Sequence, residues 1–148
     1  MKRFNVRVYG ILVEAGQLLL TDEICKGMPM TKLPGGGLQF GEGLAAGLQR
    51  EWLEELNVEI EVGEVFYVNP FLQISAFNPD DELIAVYFRI ARRGPLDVPF
   101  RTTPIDFDEA IEDAQVFRWV PLEKLQAEDF TFPTDRAMVP VLRAAFGL

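Results

Sequence analysis

The stretch "REWLEEL", residues 50–56, gathers Glu51, Glu54 and Glu55 into one short segment that otherwise reads as an apolar helix. At about 100° per residue, the three carboxylates share an arc about 100° wide, beside an apolar arc of Ala45, Leu48, Trp52 and Leu56. Like charges at i,i+3 and i,i+4 repel by roughly a few tenths of a kcal/mol each. A divalent cation reverses that sign. Mg²⁺ is a hard ion that takes carboxylate and water oxygens, commonly one or two carboxylates together with substrate phosphates. The bland alternative is a solvated acidic face on which Arg50 pairs with Glu54 at i+4. Gly47 projects into the carboxylate arc and reads as room for an approaching group, although glycine costs about 1 kcal/mol against alanine inside a helix.

Composition narrows the chemistry. The net charge is -9, from 23 acidic and 14 basic residues, with no Lys/Arg-rich block. That footprint excludes a nucleic acid polymer as the partner. An acidic protein can act on a small anionic substrate if a cation stands between its carboxylates and the substrate, which again points to a metal ion. Cys25 is the single cysteine and the chain has no histidine, so an intramolecular disulfide, a Cys/His zinc site and Ser-His catalysis are all disfavoured. The N-terminal apolar run is cut by Glu14 and Gly16, and there is no span of about 20 apolar residues. A soluble, cytoplasmic protein with no membrane partner is the expectation.

The elements that must position these residues are legible in outline. Residues 4–13 and 17–21 are β-rich runs joined at Gly16, which reads as a hairpin. A polar loop follows, and "KLPGGGLQFGEG" is a turn-rich connection into a helix over 44–56. Residues 59–69, 72–77 and 83–91 are rich in β-branched and aromatic side chains and predict strands, with "NPDDE" at 78–82 as a loop. Residues 100–114 form a long acidic loop and 115–120 a strand. "PLEKL" at 121–125 reads as a short helix opened by Pro121, and the tail from Thr134 as mostly helical, bent at Pro140. This order predicts one mixed α/β layered domain spanning 1–148.

Around the carboxylates, Gly36, five residues, Glu42, seven residues and then "REWLEELNV" resembles the Nudix box of hydrolases that act on nucleoside-diphosphate-linked compounds. The match fixes Gly36, Glu42, Arg50, Glu51, Glu54, Glu55 and Val58 at set spacings, and "LPGG" at 33–36 looks like the usual approach to the box. "WVPLEKL" at 119–125 is also similar to the family. The chain departs from the pattern at Asn57, where glycine is usual, and at Trp52, where a smaller aliphatic residue is usual. Asn57 suits the left-handed C-cap conformation.

The resemblance implies an α/β/α sandwich with a mixed β-sheet. It makes Glu51, Glu54 and Glu55 metal ligands for Mg²⁺ or Mn²⁺, has Arg50 orient a glutamate through an ion pair, and has Glu42 and the Gly35–Gly37 loop set the strand-to-helix turn. The metal would neutralise a diphosphate and activate water. The proton would pass to a box carboxylate such as Glu54 or to the acidic loop, where Glu112 is favoured among Asp106, Asp108, Glu109, Glu112 and Asp113; that loop is expected to move until substrate and metal arrive. A solvated acidic loop is the equal alternative.

Gly36, Gly37 and Lys32 are candidates for substrate contact, although "PGGG" lacks the Lys-Ser/Thr ending of a phosphate-binding loop, so its glycines read first as turn residues and Lys32 reads first as an exposed strand lysine. Tyr9, Phe40, Tyr67, Phe71 and Phe77 include candidates for base stacking, but with 12 phenylalanines most aromatic residues must be core. The resemblance implies a small nucleotide-type substrate: a nucleoside triphosphate, a nucleotide sugar or a compound of ADP-ribose type. The competing class is a non-catalytic nucleotide-sensing module on the same fold. Association as a homodimer stays open.

Overall fold

The computed structural model describes residues 1–148. The chain forms two compact units, Met1–Leu12 with Pro34–Asp97, and Val13–Leu33 with Val98–Leu148.

The first unit is built on a mixed sheet. β1 (Arg3–Ile11), β5 (Gly35–Gly37), β6 (Ile60–Val68) and β7 (Asp81–Arg92) lie in the order β5-β1-β7-β6. β1 runs parallel to β7 and antiparallel to β5, while β6 and β7 are antiparallel. The expected helix is α1 (Leu44–Leu56). Its buried side is Gly47, Leu48, Trp52 and Leu56, whereas Ala45, expected on that side, is exposed. Asn57 ends the helix in the left-handed conformation, φ 52° and ψ 40°, and its N–H donates to Leu53 O at 3.1 Å, so it performs the capping usually given to glycine.

Two expectations in this unit are corrected. The glycine run is an element and not only a turn: Gly35, Gly36 and Gly37 pair with Tyr9, Val8 and Arg7. Residues 72–77 contribute a single bridge, Ile74 to Glu82, and no strand.

The second unit is an antiparallel sheet. β3 (Gln17–Cys25) pairs with β2 (Val13–Glu14), β4 (Met28–Lys32) and β8 (Gln115–Pro121). β3 is longer than the expected 17–21, and β4 replaces part of the expected polar loop. Lys26 and Gly27 both take positive φ, 51° and 75°, so they form the two-residue hairpin turn between β3 and β4. Residues 121–125 are the end of β8 and a turn closed by Lys124 and Leu125 N–H to Pro121 O, not a helix. A 3₁₀ turn (Ala127–Asp129) and α2 (Pro133–Ala145) follow, and α2 continues through Pro140.

A buried ion pair joins these strands. Arg118 on β8 donates to both oxygens of Asp22 on β3 at 2.6 and 3.1 Å, and Thr31 on β4 donates to Asp22 at 2.6 Å. With both charges buried, bidentate geometry and a third donor are what make the burial tolerable. Asp22 also accepts the N–H of Ile105, a β-branched residue at φ 54°.

The acidic loop makes several contacts with these strands. Arg101 bonds through its backbone to Phe117 O and through its side chain to Asp108 at 2.9 Å. Asp113 N–H donates to Ile24 O, and Glu112 binds the β3–β4 turn.

Candidate active site

β5 delivers the chain into residues 38–43 and then into α1, so Gly36, Glu42 and the glutamates of α1 share one strand-loop-helix unit. Arg50 organises it. Its Nε and Nη2 donate to the two oxygens of Glu42 at 3.0 and 2.7 Å, and Nη2 also donates to Gly37 O at 3.0 Å. Its Nη1 donates to Glu51 at 3.1 Å and to Glu54 at 3.2 Å. These five bonds match the five N–H groups of a guanidinium. Glu42 in turn accepts the N–H of Gln39 at 2.8 Å, which closes the loop ahead of the helix. The Arg50 hydrogen bonds, reinforced by that N–H, hold the Glu42 carboxyl down at about 2, and Glu42 raises the Arg50 guanidinium above its ordinary value.

The glutamates differ in exposure. Glu51 lies against β5: a Cβ on Gly36 would stand 2.5 Å from each of its carboxylate oxygens, so only glycine admits it there. Its side chain is 14% exposed, against 57% for Glu54. Glu55 has one oxygen, Oε2, shielded from solvent. The space beside Gly47, expected to receive a ligand, is instead closed by Leu38 and Glu42, whose Cδ1 and Oε1 would stand 2.7 and 3.0 Å from an added Cβ. Gly47 serves the packing of the loop on the helix.

Gly36, Gly37, Glu42, Arg50, Glu51 and Glu54 thus form one contact network, with Glu55 one residue beyond it on α1. Lys32 and Glu112 belong to the second unit. Lys32 is on β4, as a strand lysine, but buried, with its ammonium 2.9 Å from Glu23. Both oxygens of Glu112 accept backbone N–H groups, from Lys26 at 2.6 Å and Gly27 at 2.9 Å, and these bonds lower its pKa.

Among the aromatic candidates, Tyr9 is buried against Tyr87, with centroids 5.3 Å apart, while Phe40 is fully exposed. Sequence reasoning passed over Arg7. It pairs in register with Gly37, donates to the Tyr9 hydroxyl at 2.7 Å and brings Nη1 to 3.6 Å from where a Gly37 Cβ would lie. Only its alternation with Tyr9 along β1 could have signalled this.

The NUDIX domain family model matches residues 1–142. The chain belongs to the Nudix family, and it is a pyrophosphohydrolase of the Nudix type. The fold is similar to that of the E. coli ORF135 protein, at a TM-score of 0.74 and 19% identity over 98% of this chain and 92% of that one. It is also similar to a MutT NUDIX hydrolase from Burkholderia pseudomallei, with TM-score 0.71 and 18% identity, covering 95% of this chain and 99% of that one. A MutT protein from Methanosarcina mazei gives 0.67 and 22% identity, covering 97% and 96%. A search of curated proteins finds no match.

Nudix hydrolases generally use divalent metal ions, so the donor set can be tested for fit. Three carboxylates on one helical flank supply the hard oxygen ligands that such ions take. As they stand, no three acidic side chains converge closely enough to hold an ion. The cation that Glu51 and Glu54 meet is the Arg50 guanidinium. The fit is in donor chemistry and in the anchoring of Glu51 by Arg50 and Gly36.

Proposed function

We propose that this chain hydrolyses the diphosphate linkage of a nucleoside diphosphate joined to another moiety: a nucleoside triphosphate, a nucleotide sugar or a compound of ADP-ribose type. Glu51, Glu54 and Glu55 would hold Mg²⁺ or Mn²⁺, which when bound neutralises the diphosphate and lowers the pKa of water. The observation that carries this reading is the Glu51 carboxylate lodged against Gly36 and tied through Arg50 to Glu42, because such a cage fixes a metal-ligating oxygen before any ligand arrives.

The protein's own residues then divide the work. Glu42 and Gly37 fix Arg50, and Arg50 orients Glu51 and Glu54. Glu54 is the most exposed of the network carboxylates and holds one contact at 3.2 Å, which supports it as acceptor of the water proton. Glu112 is the other candidate base, but two backbone donors and a lowered pKa favour an anchoring role.

A panel of the three substrate classes, assayed with Mg²⁺ or Mn²⁺ and again with excess chelator, tests the proposal. Metal-dependent cleavage of one class is expected. Binding of a nucleotide without turnover of any would favour a nucleotide-sensing module instead.

A further inference from the structure

Trp52 follows Glu51 in α1, at the position where the Nudix pattern carries a smaller aliphatic residue. Its ring is completely buried. The indole lies over Gly10 of β1, where an added Cβ would stand 2.7 Å from Nε1 and 3.0 Å from Cε2. The indole Nε1–H donates to Pro34 O at 3.2 Å. The same carbonyl accepts the N–H of Gly10 at 3.0 Å, so Pro34 is held from β1 and from α1 at once.

Pro34 enters β5, and two residues on stands Gly36, against which the Glu51 carboxylate lies. Consecutive helix residues therefore grip the same short strand, Trp52 through a hydrogen bond and Glu51 through contact. An aliphatic residue at 52 could fill volume but could not donate to Pro34. The glycines of β5 have no side chains of their own with which to fix their distance from the helix.

We infer that Trp52 is a positioning residue for Glu51: its indole N–H locks Pro34 to α1 and so sets Gly36 at the spacing that cradles the Glu51 carboxylate. This rests on the proposed role of Glu51 as a metal ligand, and it adds a residue on which that role depends. The absence of a Cβ at Gly10 is the matching half of the device.

Trp52→Phe removes the donor while keeping an aromatic ring in the core, and Pro34 O retains its bond from Gly10. Mn²⁺ affinity without substrate, kcat, KM and Tm are measured on wild type and variant, below both melting transitions. The expected result is Mn²⁺ binding weaker by about tenfold or more and a lower kcat at unchanged KM in a folded protein. Wild-type Mn²⁺ affinity and kcat in folded Trp52→Phe would overturn the inference while leaving the function in place. A wild type that neither binds Mn²⁺ nor cleaves any substrate would overturn the functional reading, and this inference with it.

Gly10→Ala supplies the second arm, because the added methyl must displace the indole from Pro34, while the nearby Ile90 Cδ1 can swing aside. It should weaken Mn²⁺ binding as Trp52→Phe does, and should add little to the loss already present in Trp52→Leu. Fully additive losses would show that Gly10 and Trp52 act independently and would overturn the coupling.

Discussion

Arg50 commits all five of its N–H groups to one turn of α1, the loop ahead of it and the end of β5, and this sets what substitutions there should do. Lysine keeps the charge but offers three donors at one point, so Arg50→Lys cannot hold Glu42, Gly37, Glu51 and Glu54 together. We expect kcat to fall about 10- to 100-fold with a smaller loss of metal affinity than in the glutamate variants. Equal losses of metal affinity would contradict that ranking. Glu42 offers a pH test. Its pKa is lowered from 4.5 to about 2, so the stability it contributes is complete above pH 4.5 and is lost as pH falls toward 2. The Tm difference between wild type and Glu42→Gln should therefore be largest near neutrality and shrink across that window. A difference independent of pH would show that Glu42 acts by packing alone. At this scale the sequence was most legible where charge and spacing carry the signal, as with Arg50 and the glutamates. Gly47 was misread because an absent side chain does not reveal whether its space is filled, and here Leu38 and Glu42 fill it.

Elements were legible wherever side chains alternate or recur on one face. α1 was bounded from its apolar arc and from Asn57, while β5 was not, because three glycines show no pattern and its pairing is purely with the β1 backbone. β4 was hidden by Pro29, which an edge strand tolerates and a central strand does not. Residues 72–77 have strand composition but leave Leu72 and Ile74 exposed, and composition outran pairing there. The acidic loop taught the same lesson: Glu112 looked like a free carboxylate, yet it caps the turn whose Lys26 and Gly27 N–H groups point at it. Glu112→Gln should accordingly lower Tm, since one acceptor oxygen becomes an NH₂ facing a donor, and should leave kcat within about twofold. A large loss of kcat at wild-type Tm would instead return Glu112 to the chemistry.

At the scale of the whole molecule, a net charge of -9 would set the protein against the proposed substrate. A diphosphate would approach a surface of its own sign, and under the proposed function a divalent cation would relieve the repulsion between carboxylate and phosphate. Turnover should therefore vanish in excess chelator, and full activity there would break the link between charge and function. The order of runs indicated a mixed α/β domain and two of its helices but added a third at 121–125 that is a turn, the mixed sheet was implied by the Nudix resemblance, and the family model over residues 1–142 agrees with the reading of the box. The most direct test of the account is Mn²⁺ binding, followed by electron paramagnetic resonance, in wild type and in Glu51→Gln, Glu54→Gln and Glu55→Gln, with turnover and Tm recorded on the same samples. The account predicts that each variant binds Mn²⁺ more weakly by about tenfold or more and loses turnover in step, while Glu54→Gln, whose side chain is exposed, keeps the wild-type Tm and Glu51→Gln melts earlier because it gives up part of its half-buried pair with Arg50. Unchanged Mn²⁺ affinity in all three variants would contradict it.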